Sequence, residues 1–203
     1  MCGRFTLARP GALPAAFPSI RFEEFSETKL PRYNVAPSQG VIGVRNDGRH
    51  VAEVMRWGIQ GRINVRAESV LARRGPVRRR CIEFADGFYE WRAGQPYYYT
   101  LRSGEPFAFA GLWEAENGSA CCDILTCPPN TLVALVHDRM PVILPREALD
   151  LWLDPEALPP EALAPVLEPL DAALMESRAV SRRVNNANYD AADVLDEAEP
   201  RLF

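Results

Sequence analysis

Cys2 stands directly behind the initiator methionine, and its small side chain permits removal of that residue, leaving an α-amine and a thiol on one residue. An α-amine with a pKa near ~7.8 is about one third neutral at pH ~7.5, whereas a lysine near ~10.4 is neutral in about one molecule in a thousand. The terminus is therefore the better Schiff-base former. The thiol sits where it can close on an imine carbon as a five-membered ring. An aldehyde would be held by two bonds. Taken alone, a cysteine in second position is more often incidental than catalytic, so the reading depends on its companions.

Several side chains are suited to accompany it. His137, in LVHDRMPVIL, can exchange a proton near neutral pH without large tuning, although a lone histidine is more often structural. Arg139 beside it adds a donor suited to an anion. Glu90, in DGFYEWR, lies between aromatic residues; a carboxylate there either pairs with an arginine or is desolvated until it can act as an acid. Asn64 and Arg66, in INVRAES, offer an amide that donates and accepts at once and a guanidinium that can hold phosphate. Arg4 is two residues from Cys2 and must lie close to it in any fold. Trp57, Trp91 and Trp113 end candidate strands, and Tyr33 opens YNVAPSQ. These aromatics are either core or stacking platforms for single-stranded bases, worth about 1–3 kcal/mol each.

Composition narrows the classes of function. The five cysteines are odd in number and form no CxxC, and there are only two histidines, His50 and His137. Neither a disulfide framework nor a zinc site is expected, and no metal or cofactor is assigned. The net charge of −4 hides a segregation: residues 1–146 hold 19 basic against 14 acidic residues, a net +5, and residues 147–203 hold 4 against 13, a net −9. Arg73, Arg74, Arg78, Arg79 and Arg80 crowd into RRGPVRRR. This run reads equally as a solvated surface or as a phosphate track. The longest apolar runs, such as residues 132–136, are far below the ~18 residues of a membrane span. The start has no apolar h-region or small-residue cleavage site, so a reducing cytosol is the expected home.

The elements that must position these groups read as short strands and turns from residue 41 to 127. Residues 41–45 and 51–57 flank Asn46-Asp47-Gly48 as a hairpin. Further strands are expected at 81–84, 88–91, 97–102, 107–113 and 124–127, with a short helix at 67–74. After Pro145 the pattern turns helical, with helices at 147–153 and 161–175 broken by Pro155, Pro159, Pro160, Pro165 and Pro169 as an acidic outer layer, a last strand expected at 180–184 and a tail ending near Phe203. The expected fold class is α+β: a mostly antiparallel β-sheet or barrel-like core with short helices packed around it, in a single domain over residues 1–203.

MCGRF, YNVAPSQ, WG followed by NVRAES, RRRCIEFADGFYEW, QPYYY, FAFAGLWE, DILTCPPN, HDRMPVIL and VSRRVNN, in this order, resemble the SRAP-domain family, the SOS-response-associated peptidase-like proteins. The resemblance runs from residue 1 to about residue 186. It implies that Cys2, after methionine removal, forms a thiazolidine link with the ring-opened aldehyde of an abasic site in single-stranded DNA, shielding the lesion as part of the DNA damage response. It also implies that Asn64 positions Cys2 and the sugar, that Glu90 acts in the Schiff-base chemistry, and that His137 helps open the deoxyribose. Thr126 would stand near that pocket, Arg4, Arg66 and Arg139 would hold phosphates, and Pro37 and Trp91 would shape the site and block stacking of a neighbouring duplex. The implied state is a monomer in the bacterial cytoplasm, at the nucleoid when bound to DNA, with no membrane association. One departure is a short connection: only residues 59–63 separate Gly58 from Asn64, where the family commonly has a longer aromatic, proline-rich loop. Two other readings use the same residues. One is a cysteine peptidase or amidase built on Cys2 and His137; the other is a non-covalent single-stranded DNA-binding module.

Overall fold

The computed structural model describes residues 2–23, 25 and 29–198 of the 203-residue chain; Met1 and the expected tail to Phe203 lie outside the described residues. Thirteen strands are formed among the described residues: β1 (Phe5–Leu7), β2 (Arg32–Val35), β3 (Gly40–Arg45), β4 (Glu53–Trp57), β5 (Asn64–Arg66), β6 (Arg80–Ala85), β7 (Gly87–Arg92), β8 (Gln95–Leu101), β9 (Phe107–Glu116), β10 (Ser119–Cys127), β11 (Met140–Pro141), β12 (Ile143–Leu144) and β13 (Met175–Ala179). Five of them close a ring in the order β3, β4, β10, β9, β6 and back to β3. Every joint of the ring is antiparallel except β4–β10, where Arg56 and Trp57 run parallel to Cys121 and Cys122. Closure removes the free edges that an open sheet would expose. A second sheet, in the order β13, β8, β7, β1, β2, leans on this barrel. The expected α+β class with a barrel-like, mostly antiparallel core is what forms.

Asp86 is the single residue between β6 of the barrel and β7 of the second sheet, and it ties down the amino-terminal strand. Its carboxylate accepts from the Thr6 hydroxyl and, at 2.6 Å, from the Arg9 amide. Phe5 on β1 packs between Trp57, with ring centres 5.2 Å apart, and Phe109, at 5.6 Å. Each such aromatic pair contributes about 1 kcal/mol beyond the area it buries. Strand β1 therefore starts from an anchored point only a few residues beyond Cys2. The short connection before Asn64 is a tight reversal: the Ile59 amide donates to the Arg62 carbonyl at 2.8 Å, the Arg62 amide returns a bond to Ile59 at 2.9 Å, and Gln60 and Gly61 take φ of 49° and 81°. Positive φ at both central residues defines a type I′ turn, for which glycine carries no steric cost. This turn feeds β5, which pairs along β10 with Asn64 opposite Ile124 and Arg66 opposite Thr126.

Helices are short, as the prolines dictate: α1 (Leu13–Ala16), α2 (Ala67–Leu71), α3 (Leu149–Leu153) and α4 (Pro160–Leu163). The helix expected over 161–175 is interrupted after Leu163 by 3-10 turns at Ala164–Val166 and Ala172–Leu174, because Pro165 and Pro169 withhold the amides a continuous helix needs. The last strand also falls earlier than expected. Residues 175–179 pair with β8, from Met175 opposite Leu101 to Ala179 opposite Tyr97, while 182–185 form a 3-10 turn whose Arg183 amide is capped by the Ser181 hydroxyl.

The arginine run divides. Arg80 is fully buried and cannot belong to a phosphate track. Its guanidinium donates to the carbonyls of Trp152, Val77, Asp154 and Glu156, fastening the end of α3 to the barrel. Inside the barrel, Glu83 is also fully buried, accepting from the Cys81 thiol at 3.3 Å. A β-carbon on the facing Gly111 would lie 2.3 Å from its carboxyl oxygen, so only glycine leaves room for this acid. Burial pushes the Glu83 carboxyl up to about 8, with the nearby Asp123 charge adding to the rise. All five cysteines are free and buried. Among the described residues, no three His, Cys, Asp or Glu side chains gather as a metal site would need, and no helix is long and apolar enough to cross a membrane.

Candidate reaction centre around Cys2

Strand β5 brings Asn64 to Cys2. The Asn64 Nδ2 donates to the Cys2 carbonyl at 2.9 Å, which fixes the backbone of the residue whose side chain would react. The other end of the same amide, Oδ1, is buried and accepts no hydrogen bond among the described residues. Leaving such an acceptor unsatisfied costs about 1–3 kcal/mol, a debt a bound donor would relieve. Cys2 itself has no exposed surface in the chain that begins at Met1. Burial pushes its thiol well above the usual range, and the neighbouring Glu90 charge pushes in the same direction.

Glu90 stands on β7 opposite Tyr97, with a relative exposure of 2%. Desolvation raises its carboxyl to about 7. A neutral solution therefore holds it as a mixture of acid and carboxylate, the condition in which a group can both give and take a proton. Its Oε2 lies 3.9 Å from the Nε2 of His137. His137 is partly exposed, and burial of the rest of the ring lowers its pKa from the usual value. The ring Nδ1 lies 3.0 Å from the Arg139 amide, which it accepts in the tautomer protonated on Nε2, and 3.3 Å from the Arg139 carbonyl, to which it donates when it carries a proton itself. Asp138 Oδ1 lies 3.1 Å from Nδ1 and is a partner for the ring whenever Nδ1 carries a proton.

Cys2, Asn64, Glu90 and His137 thus form one cluster, although 135 positions separate the first from the last. Thr126 and Arg139 adjoin it. Thr126 is buried near the end of β10, and both its carbonyl and its hydroxyl accept from the Arg139 guanidinium. The remaining reach of Arg139 is a two-pronged pair with the carboxylate of Glu68 on α2. That hydrogen-bonded pairing holds the Glu68 carboxyl down at about 2. Arg66 at the end of β5 is exposed, with no carboxylate within 4 Å among the described residues. Arg4 is turned inward, donating to Asn34 Oδ1 at 2.9 Å and to the Val184 carbonyl at 2.8 Å. Trp91 is half-buried and donates from Nε1 to Asn185 Oδ1 at 2.7 Å, and Pro37 is half-buried just beyond β2.

Two residues of the cluster's surroundings carried no role in the sequence reading. Glu68 occupies the fork of Arg139 from 71 positions away, so no local pattern announces it. Asn34, inside YNVAPSQ, is fully buried and donates to the carbonyls of Val184, Asn186 and Tyr189. A polar residue between Tyr33 and Val35 was the available signal.

Residues 1–187 match the family described as SOS response associated peptidase (SRAP). The abasic site processing protein YoaM of Bacillus subtilis is 37% identical over 229 residues, covering 97% of this chain and 98% of the relative. The abasic site processing protein YoqW of the same species is 36% identical over 229 residues, covering 97% and 99%. A crystal structure of a protein from Bacteroides thetaiotaomicron superposes with a TM-score of 0.83 at 19% identity, covering 98% of this chain and all of that one, a likeness of fold. With a family match over nearly the whole chain and near-full-length relatives above 30% identity, the chain belongs to the SOS response associated peptidase (SRAP) family.

Proposed function

We propose that this chain, once Met1 is removed, processes abasic sites in single-stranded DNA by bonding covalently to them through Cys2, in the course of the DNA damage response. The reaction balances without a metal or cofactor. His137 and Glu90 open the deoxyribose ring by proton exchange at the ring oxygen and the C1′ hydroxyl, giving the aldehyde. The neutral α-amine of Cys2 attacks C1′, and protonated Glu90 donates to the departing hydroxyl so that water leaves and an imine forms. The thiol then adds to the imine carbon, its proton passing to the nitrogen, and a thiazolidine closes with one water lost overall. Asn64 holds the Cys2 backbone in place during these steps, and its unsatisfied Oδ1 is available to an amine or hydroxyl donor. Arg66 and Arg139 are proposed to meet phosphates; Arg4, expected to do the same, has its guanidinium taken up by Asn34 and the Val184 carbonyl and is proposed to shape the cleft instead, with Pro37, Trp91 and Thr126.

The observation that carries this reading is the clamp of Asn64 on the Cys2 carbonyl beside the Glu90–His137 pair. Relatives of nearly full length named as abasic site processing proteins support it. The proposed partner is single-stranded DNA, and the proposed state is a monomer in the bacterial cytoplasm. Mixing the mature protein with a single strand bearing an abasic site should give a denaturation-resistant species heavier by the strand minus one water. Cys2→Ala should give none, nor should a chain with one residue retained ahead of Cys2. A Cys2-dependent cleavage of a model amide without any DNA adduct would favour the peptidase instead. Salt-sensitive DNA binding that survives Cys2→Ala, again with no adduct from the wild type, would leave a non-covalent binder.

A further inference from the structure

The rest of the arginine run lies away from the reaction centre and is unexplained by it. Arg73, Arg78 and Arg79, together with Arg62 from the turn before β5, line one cavity of about 230 Å³ whose wall includes Trp113 and Glu114. That volume is ample for a phosphate group, itself the size of only a few waters. The arginines project from a fixed backbone. Val77 exchanges hydrogen bonds with Leu158 at 2.7 and 3.2 Å, Arg80 is buried on one side, and the Arg79 carbonyl accepts the Trp113 amide at 3.1 Å. The Trp113 ring props two guanidinium groups, that of Arg45 at 4.7 Å and that of Arg79 at 5.5 Å.

Charge inside the cavity is only partly compensated. Arg62 is paired with Asp123 at 2.6 Å, and Arg45, beside the cavity, is committed to Glu53. Arg73, Arg78 and Arg79 have no carboxylate within 4 Å among the described residues, and Glu114 is the one acid in the lining. Arginine forks that project from a held backbone and lack an internal anion suit phosphate oxygens, which accept bidentately. The location points to a strand rather than to a free ion. Arg62 stands in the turn two residues before Asn64 and four before Arg66, so at most ~7 Å of backbone separates it from Asn64 and ~13 Å from Arg66, the length of roughly two to four stacked nucleotides.

We propose that the cavity of Arg62, Arg73, Arg78 and Arg79 is a second phosphate site, gripping the backbone of a single strand two to four nucleotides from the one held at Asn64. This rests on the single-strand function proposed above. The test is fluorescence anisotropy with a labelled 12-nucleotide oligothymidylate that carries no abasic site, titrated at several salt concentrations. The combined variant Arg73→Gln, Arg78→Gln and Arg79→Gln should lower the log–log salt slope by about 2, since each single-strand phosphate contact contributes ~0.7. Arg74→Gln, one charge removed from a neighbour outside the cavity lining, should leave the slope within about 0.3 of wild type. An unchanged slope in the triple variant overturns the proposal, and so does an Arg74→Gln shift as large per charge, which would mean diffuse attraction. Inorganic phosphate should displace the strand only at millimolar levels; displacement at micromolar levels would assign the cavity to free phosphate and also overturn it. Failure of the covalent reading is seen separately, as the absence of an abasic-site adduct with wild-type protein whatever the salt slope.

Discussion

Replacing Glu83 by glutamine should make the protein more stable in a way that depends steeply on pH. Glu83 is sealed inside the barrel, and its carboxyl is raised to about 8 from the model-peptide value of 4.5. The folded chain therefore holds a proton there that the unfolded chain releases above pH ~4.5. Stability from this group is intact below pH ~4.5 and declines as pH rises, by ~1.4 kcal/mol per unit, until the folded acid itself ionises near pH ~8. Glutamine has the same shape and does not titrate. Any constant difference in packing or hydrogen bonding cancels when the two proteins are compared across pH. The advantage of Glu83→Gln should thus grow by about 2.5 kcal/mol between pH 5 and pH 7. Urea unfolding of both proteins at half-unit intervals measures it, and other titrating groups, Glu90 included, drop out of the difference. A pH-independent gap would refute the reasoning, because it would mean that Glu83 is not held as a neutral acid within the barrel.

Two further outcomes follow from the packing and the site. Arg80→Ala strips four buried carbonyls of their donor and should cost at least ~3 kcal/mol, lowering Tm by roughly 10 °C in a chain of this size; a loss under ~1 kcal/mol by calorimetry would contradict the assigned role. Glu90, raised to about 7 by burial, supplies its acid form below that pH, so wild-type adduct formation should rise with amine deprotonation and then fall above pH ~7. Glu90→Gln should be slower by ~100-fold and should keep rising to pH ~8.5, which initial rates on denaturing gels would show.

The sequence reading located the elements whose evidence is local. The β3–β4 hairpin is written in two apolar runs around Asn46-Asp47-Gly48, and β6 to β10 in β-branched and aromatic stretches separated by turns. Strands β1, β2 and β5 were missed because three or four residues carry no period; they are strands only because β7, β1 and β10 offer them hydrogen bonds. The last strand was displaced by five residues for a similar reason: Val180 and Val184 look like strand residues, but Val180 makes only an isolated bridge with Glu197 and Val184 is the buried residue of a 3-10 turn, while the polar Glu176, Ser177 and Arg178 pair with β8. For the site, residue types showed what Cys2, Glu90 and His137 are able to do, and only the resemblance joined them to Asn64. The burial of Arg80 was illegible within RRGPVRRR, where it looks like its neighbours; three of its four partners come from α3 and the segment after it.

The fork of Arg139 is already filled by Glu68, so an arriving phosphate there replaces one anion with another and few mobile counterions are released at that point. Under the proposed function, ionic strength then acts chiefly through guanidinium groups that start without an internal anion, Arg66 and the Arg73, Arg78 and Arg79 of the distal cavity. If the proposed function and the second phosphate site hold, loading of the strand divides into two tasks: a salt-sensitive capture at the periphery, and an exchange beside Cys2 that admits only a group able to displace a carboxylate.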